Sequence, residues 1–219
     1  MARIARIVIP GIPHHVTQRG NRGQRVFFTQ EDSARYLALV AEHCRQAGTD
    51  CWAYCLMPDH VHFILVPAHE DGLRAALAEP HRRYSREMNR REGWTGYLWQ
   101  GRFGSFPMDE RYLVACARYI ERNPVAAGLC SEPQRWRWSS ARAHLEGCDD
   151  TLVRVGPLLE RVPDWASLIG ADGPIGERKS IETHLGTGRP LGAEGFLKGL
   201  EDRLGRRLRP RKRGPRPRR

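Results

Sequence analysis

His60 and His62 flank Val61 in the run Met57-Pro58-Asp59-His60-Val61-His62-Phe63-Ile64-Leu65. On a strand, side chains alternate faces, so the two imidazoles project from one side about 7 Å apart at the backbone, within reach of a single metal ion. Val61 then points into a core. Farther along, Tyr119 and Asn123 stand four residues apart on a predicted helix and stack on one of its faces, just before Pro124. Two imidazoles and an asparagine amide oxygen would give a divalent ion three ligands and leave positions open for a phosphate oxygen. A helix carboxyl end carries partial negative charge, so a phosphate settles there only with a metal or arginines between. A tyrosine of pKa about 10 is about 0.1% ionised at pH 7, a deficit near 4 kcal/mol if phenolate is required.

The elements that must position these residues follow from periodicity and punctuation. Alternation after Pro10-Gly11-Ile12-Pro13 predicts a first strand from His14 to Gln18. A helix is expected over 30–47, on the apolar face of Tyr36, Leu37, Leu39, Val40 and Cys44, with Gly48 as its stop. Apolar segments at 51–56 and 61–66, joined by Met57-Pro58-Asp59, predict a hairpin whose second strand carries the histidines. A second long helix is expected from Asp71 or Gly72 to about Glu92, kinked or restarted by Pro80. A fourth strand over 97–106 and the tyrosine helix over 109–123 complete the pattern. Strand, helix, strand, strand, helix, strand is the split, ferredoxin-like (RRM-like) α+β order: an antiparallel sheet with helices on one face and the other face free for a ligand.

Of the net charge of +11, the segment from Arg203 to Arg219, with nine Arg, one Lys and no acid, supplies all but one unit. Two further basic clusters, Arg3, Arg6, Arg19, Arg22 and Arg25, then Arg82, Arg83, Arg86, Arg90 and Arg91, favour a polyanion partner, most simply nucleic acid. No apolar run reaches membrane-spanning length, and the sequence reads as a soluble cytoplasmic protein. Six scattered cysteines suggest reduced thiols, with Cys51 and Cys55 as small core residues. Composition shifts divide the chain into a domain over 1–147, a small helical accessory region over 148–205 that includes an amphipathic helix at 193–204, and a basic tail over 206–219 expected to be disordered when free.

The turn Gln18-Arg19-Gly20-Asn21-Arg22, the run Met57 to His62, the segment Leu98-Trp99-Gln100-Gly101-Arg102-Phe103, and Tyr119-Ile120-Glu121-Arg122-Asn123-Pro124-Val125 together resemble the single-tyrosine HUH transposases of bacterial insertion sequences, in particular the REP-associated tyrosine transposases. The resemblance covers residues 1 to about 145 in the family's order. It implies Tyr119 as nucleophile, His60, His62 and Asn123 as ligands of Mg²⁺ or Mn²⁺, and cleavage and rejoining of single-stranded or hairpin DNA through a 5′-phosphotyrosine. It also implies a bacterial, nucleoid-associated setting and a monomer or homodimer. Arg19, Asn21, Arg22 and Arg25 fall where the family grips DNA beside its hairpin ends. Trp99 and Arg102 offer an unpaired base a stacking partner and a phosphate a charge, although Trp99 and Phe103 equally suit a sheet core.

Tyr112 lies about 10 Å along the axis from Tyr119 and suits packing or base stacking, while Tyr36, Tyr54 and Tyr84 fall on core periodicities. His14, His15 and His69 suit surface or supporting roles, Asp59 a turn, and Trp136 and Trp138 the closing of the domain. Two other readings stay open: a module that grips hairpin DNA or RNA without cutting it, and a phosphoesterase whose His pair activates water. Neither requires Tyr119 and Asn123 at helical spacing.

Overall fold

Alternation along β1 (His14–Arg19), β2 (Thr49–Met57), β3 (His60–Pro67) and β4 (Gly104–Pro107) sorts side chains onto the two faces of one antiparallel sheet, in the order β2-β3-β1-β4. The computed structural model describes residues 5–174 and 176–209; Arg3 and residues 210–219 of the basic tail lie outside the described residues. Helix α1 (Gln30–Gln46) joins β1 to β2 and α2 (Gly72–Glu92) joins β3 to β4, the split ferredoxin-like order expected. Val16, Val61, Phe63 and Leu65 face these two helices and pack with Tyr36, Leu39, Leu77 and Tyr84. A capping box starts α1: Thr29 Oγ1 accepts from the Asp32 N–H, and the Asp32 carboxylate accepts from the Thr29 N–H at 3.0 Å. The same carboxylate pairs with Arg91 of α2, so one buried aspartate caps one helix and ties it to the next.

The second face differs from the free surface expected of it. Helix α3 (Glu110–Ala126) lays Leu113, Cys116, Ala117 and Ile120 across Ala53, Cys55, Ile64 and Phe106. Beyond it the described chain runs through α4 (Ala141–Glu146), α5 (Gly156–Leu159), α6 (Trp165–Gly170), α7 (Glu177–Thr187) and α8 (Glu194–Leu204). Trp165, Ile169 and Ile181 join the α3 cluster, while Leu152, Val153 and Val155 join the α1–α2 cluster. The accessory region therefore shares both cores with the sheet. It also covers the sheet's edges: the Arg154 N–H donates to Cys51 C=O on β2, and the Leu191 N–H donates to Pro107 C=O on β4. Trp136 and Trp138 close β2 as expected: the Trp136 indole donates to Leu56 C=O, and the Leu56 N–H donates to Trp138 C=O.

Two element boundaries differ from the sequence reading, and one helix runs on where a restart was allowed for. The fourth strand is only Gly104–Pro107; residues 97–103 form a loop, because Gly96 and Gly101 take positive φ of 94° and 63° and interrupt an extended run. Pro80 does not split α2, and Pro124 does not end α3, which continues to Ala126. Proline deletes one N–H and crowds one carbonyl, a local cost that the buried faces of both helices outweigh. Asn123 thus sits in the last turn of α3 and Tyr119 one turn earlier.

Among the described residues no helix is long and apolar enough to cross a membrane. Cys51 and Cys55 lie in the core, as do Cys44 and Cys116, and burial drives the thiol pKa upward, that of Cys44 to about 12.

Two buried histidines away from the His60–His62 pair make stability depend on pH. Burial lowers the pKa of His14 to about 4 and of His81 to about 3. His14 Nδ1 donates to Ile12 C=O and Nε2 accepts from the Ile9 N–H, an arrangement only the neutral ring allows. The unfolded chain binds protons at these sites from about pH 6.5 downward while the folded chain does not, so each histidine costs about 1.4 kcal/mol per pH unit below that value. We expect urea-unfolding free energy to fall by roughly 4 kcal/mol between pH 7 and pH 5 from the pair. An unchanged midpoint across that range would contradict this assignment.

Candidate active site

His60 opens β3 directly after the two-residue turn Pro58-Asp59, whose Pro58 carbonyl accepts from the Val26 and Phe27 N–H groups. Asp59, read from sequence as a turn residue, also orients a histidine: its Oδ1 lies 2.6 Å from His60 Nδ1, and its Oδ2 pairs with Arg19 at 3.3 Å. His62 Nδ1 lies 2.9 Å from Nε2 of His15 on β1. Both Nδ1 atoms are thus engaged, and the Nε2 atoms are the ring nitrogens left over. The rings are 4.9 Å apart at their centroids and nearly perpendicular. Burial lowers the pKa of both, that of His62 well below its ordinary value with His60 and His15 adding to the fall, while Asp59 partly offsets the fall at His60. A neutral imidazole is the metal-binding form.

The position of α3 brings Tyr119 to this pair. Its ring stands edge-on to His62 at 5.5 Å and to His15 at 6.0 Å. On the accessory side the Arg178 guanidinium of α7 lies 5.8 Å from the ring centre. Burial raises the phenol pKa and Glu182 adds to the rise; Arg178 and the neighbouring Asn123 amide oppose it. Asn123 is buried, with no partner for its amide nitrogen. Among the described residues no three His, Cys, Asp or Glu side chains gather as a metal cage.

Three of the rival tyrosines are committed elsewhere. The hydroxyl of Tyr36 meets His81, that of Tyr54 donates to Asp150, and that of Tyr84 donates to Val26 C=O. Tyr112 packs against the α3 cluster under Arg111. His69 is exposed and His14 is fully buried.

Residues missed by the sequence reading hold α3 in place. Glu121 is fully buried: Oε1 accepts from Ser140 Oγ and His144 Nδ1, each at 2.6 Å, and Oε2 accepts from Trp165 Nε1 at 2.8 Å. Arg118 pairs with Glu177, and Arg122 pairs with Asp172 at 2.5 Å and donates to Ile169 C=O at 2.6 Å. Between α3 and residues 172–181 lies a cavity of about 360 Å³, lined by Tyr119, Asn123, Arg118, Arg122 and Arg178. Of these arginines, Arg122 belongs to the Tyr119 motif and Arg118 directly precedes it, and Arg178 pairs with Glu182 at 2.9 Å. Arg178 has no signal in the sequence, since it meets Tyr119 only through folding.

The DNA-contact candidates gather at the same end of the sheet, where Arg19 pairs with His60 in register. The Asn21 N–H donates to Leu98 C=O, Arg22 is exposed with φ 57°, and Arg25 Nε donates to Phe27 C=O. Gly20 is required here, since a Cβ would come within 2.1 Å of the Gln24 carbonyl oxygen. Arg102 is exposed. Trp99 is a correction: it is 5% exposed and packs among Phe27, Tyr36, Tyr84 and His81, so its ring is core rather than an open stacking surface. The exposed ring is Tyr97, two residues earlier and 84% exposed.

A Haemophilus influenzae protein named as a REP-associated tyrosine transposase is 26% identical over 141 residues, which cover 54% of this chain and 80% of that protein. A solved structure of a REP-associated tyrosine transposase bound to a REP hairpin matches with a TM-score of 0.53 over 71% of this chain and 93% of that one. At 21% identity that match speaks for the fold, and it agrees with the resemblance carried by the four motifs. Residues 11–123, from the approach to β1 through Asn123, match the family described as "Transposase IS200 like". That span is more than half of the sequence, and the chain belongs to the IS200-like transposase family.

Proposed function

We propose that this transposase recognises hairpin DNA ends and cleaves and rejoins a single strand through a phosphotyrosine at Tyr119. The observation that carries the reading is the 5.5 Å contact of the Tyr119 ring with His62, itself 4.9 Å from His60, at one end of the sheet. In the step proposed, the Tyr119 oxygen bonds to the scissile phosphorus and the bond to the 3′ oxygen breaks. The phenol loses its proton and the departing 3′ oxygen gains one, leaving a 5′-phosphotyrosine and a free 3′-hydroxyl. The reverse attack rejoins the strand with no nucleotide consumed. His60, His62 and Asn123 would hold Mg²⁺ or Mn²⁺, which when bound neutralises phosphate charge. Arg178 places positive charge 5.8 Å from the Tyr119 ring centre, while Arg118 and Arg122, paired with Glu177 and Asp172, line the cavity beside it. Two relatives named for REP-associated transposition, one of them holding a REP hairpin, support hairpin DNA as the substrate class.

Incubating the full chain with a labelled hairpin-tipped single strand and Mn²⁺ tests the reading. A denaturation-resistant protein–DNA adduct, lost on chelation, is expected. Cleavage without an adduct would make the protein a phosphoesterase, and binding without cleavage a recognition module.

Arg19, Asn21, Arg22, Arg25 and Arg102 are the proposed DNA contacts. Arg22→Ala is expected to weaken hairpin binding about tenfold at low salt, and to reduce the slope of log affinity against log salt by about 0.9. An unchanged slope would remove Arg22 from the interface.

A further inference from the structure

Asp59 and His15 each hold the Nδ1 atom of one histidine of the pair, but they differ in what they can do there. A carboxylate only accepts, so the neutral His60 ring carries its proton on Nδ1 and keeps a lone pair at Nε2. An imidazole can donate or accept. The 2.9 Å contact between His15 Nε2 and His62 Nδ1 therefore admits two arrangements. In one, His15 Nε2–H donates, and His62 carries its own proton on Nε2. In the other, His62 Nδ1–H donates, its Nε2 keeps the lone pair, and the proton of His15 sits on Nδ1. Only the second leaves His62 a nitrogen able to bind a cation.

The sheet register puts His15 in charge of that choice. Thr17 stands opposite His62 and Ile64 opposite His15 between β1 and β3, so the two histidines are diagonal neighbours on the face that α3 covers. His15 is fully buried, and burial keeps its ring neutral. Its ring centre lies 5.1 Å from that of His62, 5.3 Å from Phe106 and 6.0 Å from Tyr119. One imidazole thus adjoins both the histidine pair and the tyrosine. Its Nδ1 is buried with no hydrogen-bond partner. His14 next to it has both ring nitrogens bonded and is held in one tautomer, whereas no third group pins His15.

We propose that His15 is a positioning residue for a divalent cation: by accepting from His62 Nδ1–H it selects the tautomer of His62 that offers Nε2 as a ligand. In that state each ring is neutral and keeps one proton, on Nδ1 in both. Two imidazoles with engaged Nδ1 atoms, and a buried amide whose nitrogen has no partner, suit such a cation. The proposal rests on the reading of His60, His62 and Asn123 as ligands and adds the residue that makes His62 ready. His15 stays outside the ligand set, because its Nε2 is taken by His62 and its Nδ1 is sealed from solvent.

The electron paramagnetic resonance signal of free Mn²⁺ reads metal affinity on the full chain without DNA. His15→Phe keeps a buried ring and removes the acceptor, and is expected to weaken Mn²⁺ binding about 10–100-fold, the usual effect of losing a partner that orients a ligand. His15→Gln places an amide oxygen near the position of Nε2 and is expected to stay within about threefold of wild type. An unchanged Mn²⁺ affinity in His15→Phe, with only the urea midpoint altered, would reduce His15 to packing and overturn the proposal. Equal losses in the Phe and Gln variants would also overturn it. Should His15→Phe fail to fold, nitrogen-15 NMR of the wild-type chain with Mg²⁺ decides. A His62 Nδ1 proton coupled across the hydrogen bond to His15 Nε2 supports the proposal; a His15 nitrogen bound to the metal, or no such coupling, overturns it. Mn²⁺ binding that depends on His15 in a chain forming no DNA adduct would keep the proposal and sink the nuclease reading. An adduct in a chain whose Mn²⁺ affinity ignores His15→Phe would do the reverse, and a wild-type chain that binds no Mn²⁺ would overturn both.

Discussion

Tyr119→Phe is expected to lower the rate of covalent attachment to hairpin-ended DNA by roughly four orders of magnitude or more, the scale on which removing a nucleophile acts. The substitution deletes one oxygen. The ring keeps its edge contacts with His62 and His15, so the fold and the hairpin affinity should change little, the latter by less than twofold. Denaturing gels read the adduct and anisotropy reads the affinity. None of Tyr36, Tyr54 or Tyr84 can substitute, since their hydroxyls are engaged away from the histidine pair. Tyr97 is exposed but lies in the loop before β4, not on α3. Persistent cleavage at the wild-type rate in the Phe variant would assign the nucleophile to water and withdraw Tyr119 from the chemistry.

Glu121→Ala is expected to destabilise the protein by about 3–5 kcal/mol, the usual cost of removing one partner from a buried, hydrogen-bonded ionisable pair. Three donors, Ser140 at the start of α4, His144 on α4 and Trp165 on α6, lose their common acceptor at once, in a region with no water-facing alternative. Glu121→Gln keeps the shape and one acceptor oxygen but turns a donor toward a donor, so a smaller loss of about 1–3 kcal/mol is expected. Urea unfolding measures both. Glu121 stands two residues from both Tyr119 and Asn123 without touching DNA in the proposed complex. Adduct yield in the Ala variant should therefore fall even where the protein remains folded, as α3 loses its fixed position. A change below 1 kcal/mol would show that α3 is held by its apolar face alone.

Much of the architecture is local information. Alternation in the His60–Leu65 run fixes which side of the sheet carries the imidazoles, and Thr29 with Asp32 fixes where α1 begins, because period and capping act over a few residues. Helical spacing likewise places Tyr119 above Asn123 in any context. Pro124 misled the boundary of α3, and Pro80 the continuity of α2, because a proline's cost is local, whereas the burial that overrides it comes from elsewhere in the chain. Trp99 and Asp59 illustrate the same limit. Neither residue type reveals whether its neighbours will be core or solvent, and the fold sent the tryptophan inward and turned the aspartate onto His60.

By itself, then, the sequence determined the order of elements, the shared face of His60 and His62, the helix that bears Tyr119, and the family they indicate. Tertiary structure alone decided that α3 would cross the second face and set the phenol against His62, that His15 would steady that histidine, and that Arg178 and the Glu121 network would close around the site. Contacts between residues 40 or more positions apart depend on how amphipathic faces are buried against one another, and no short-range pattern encodes that choice.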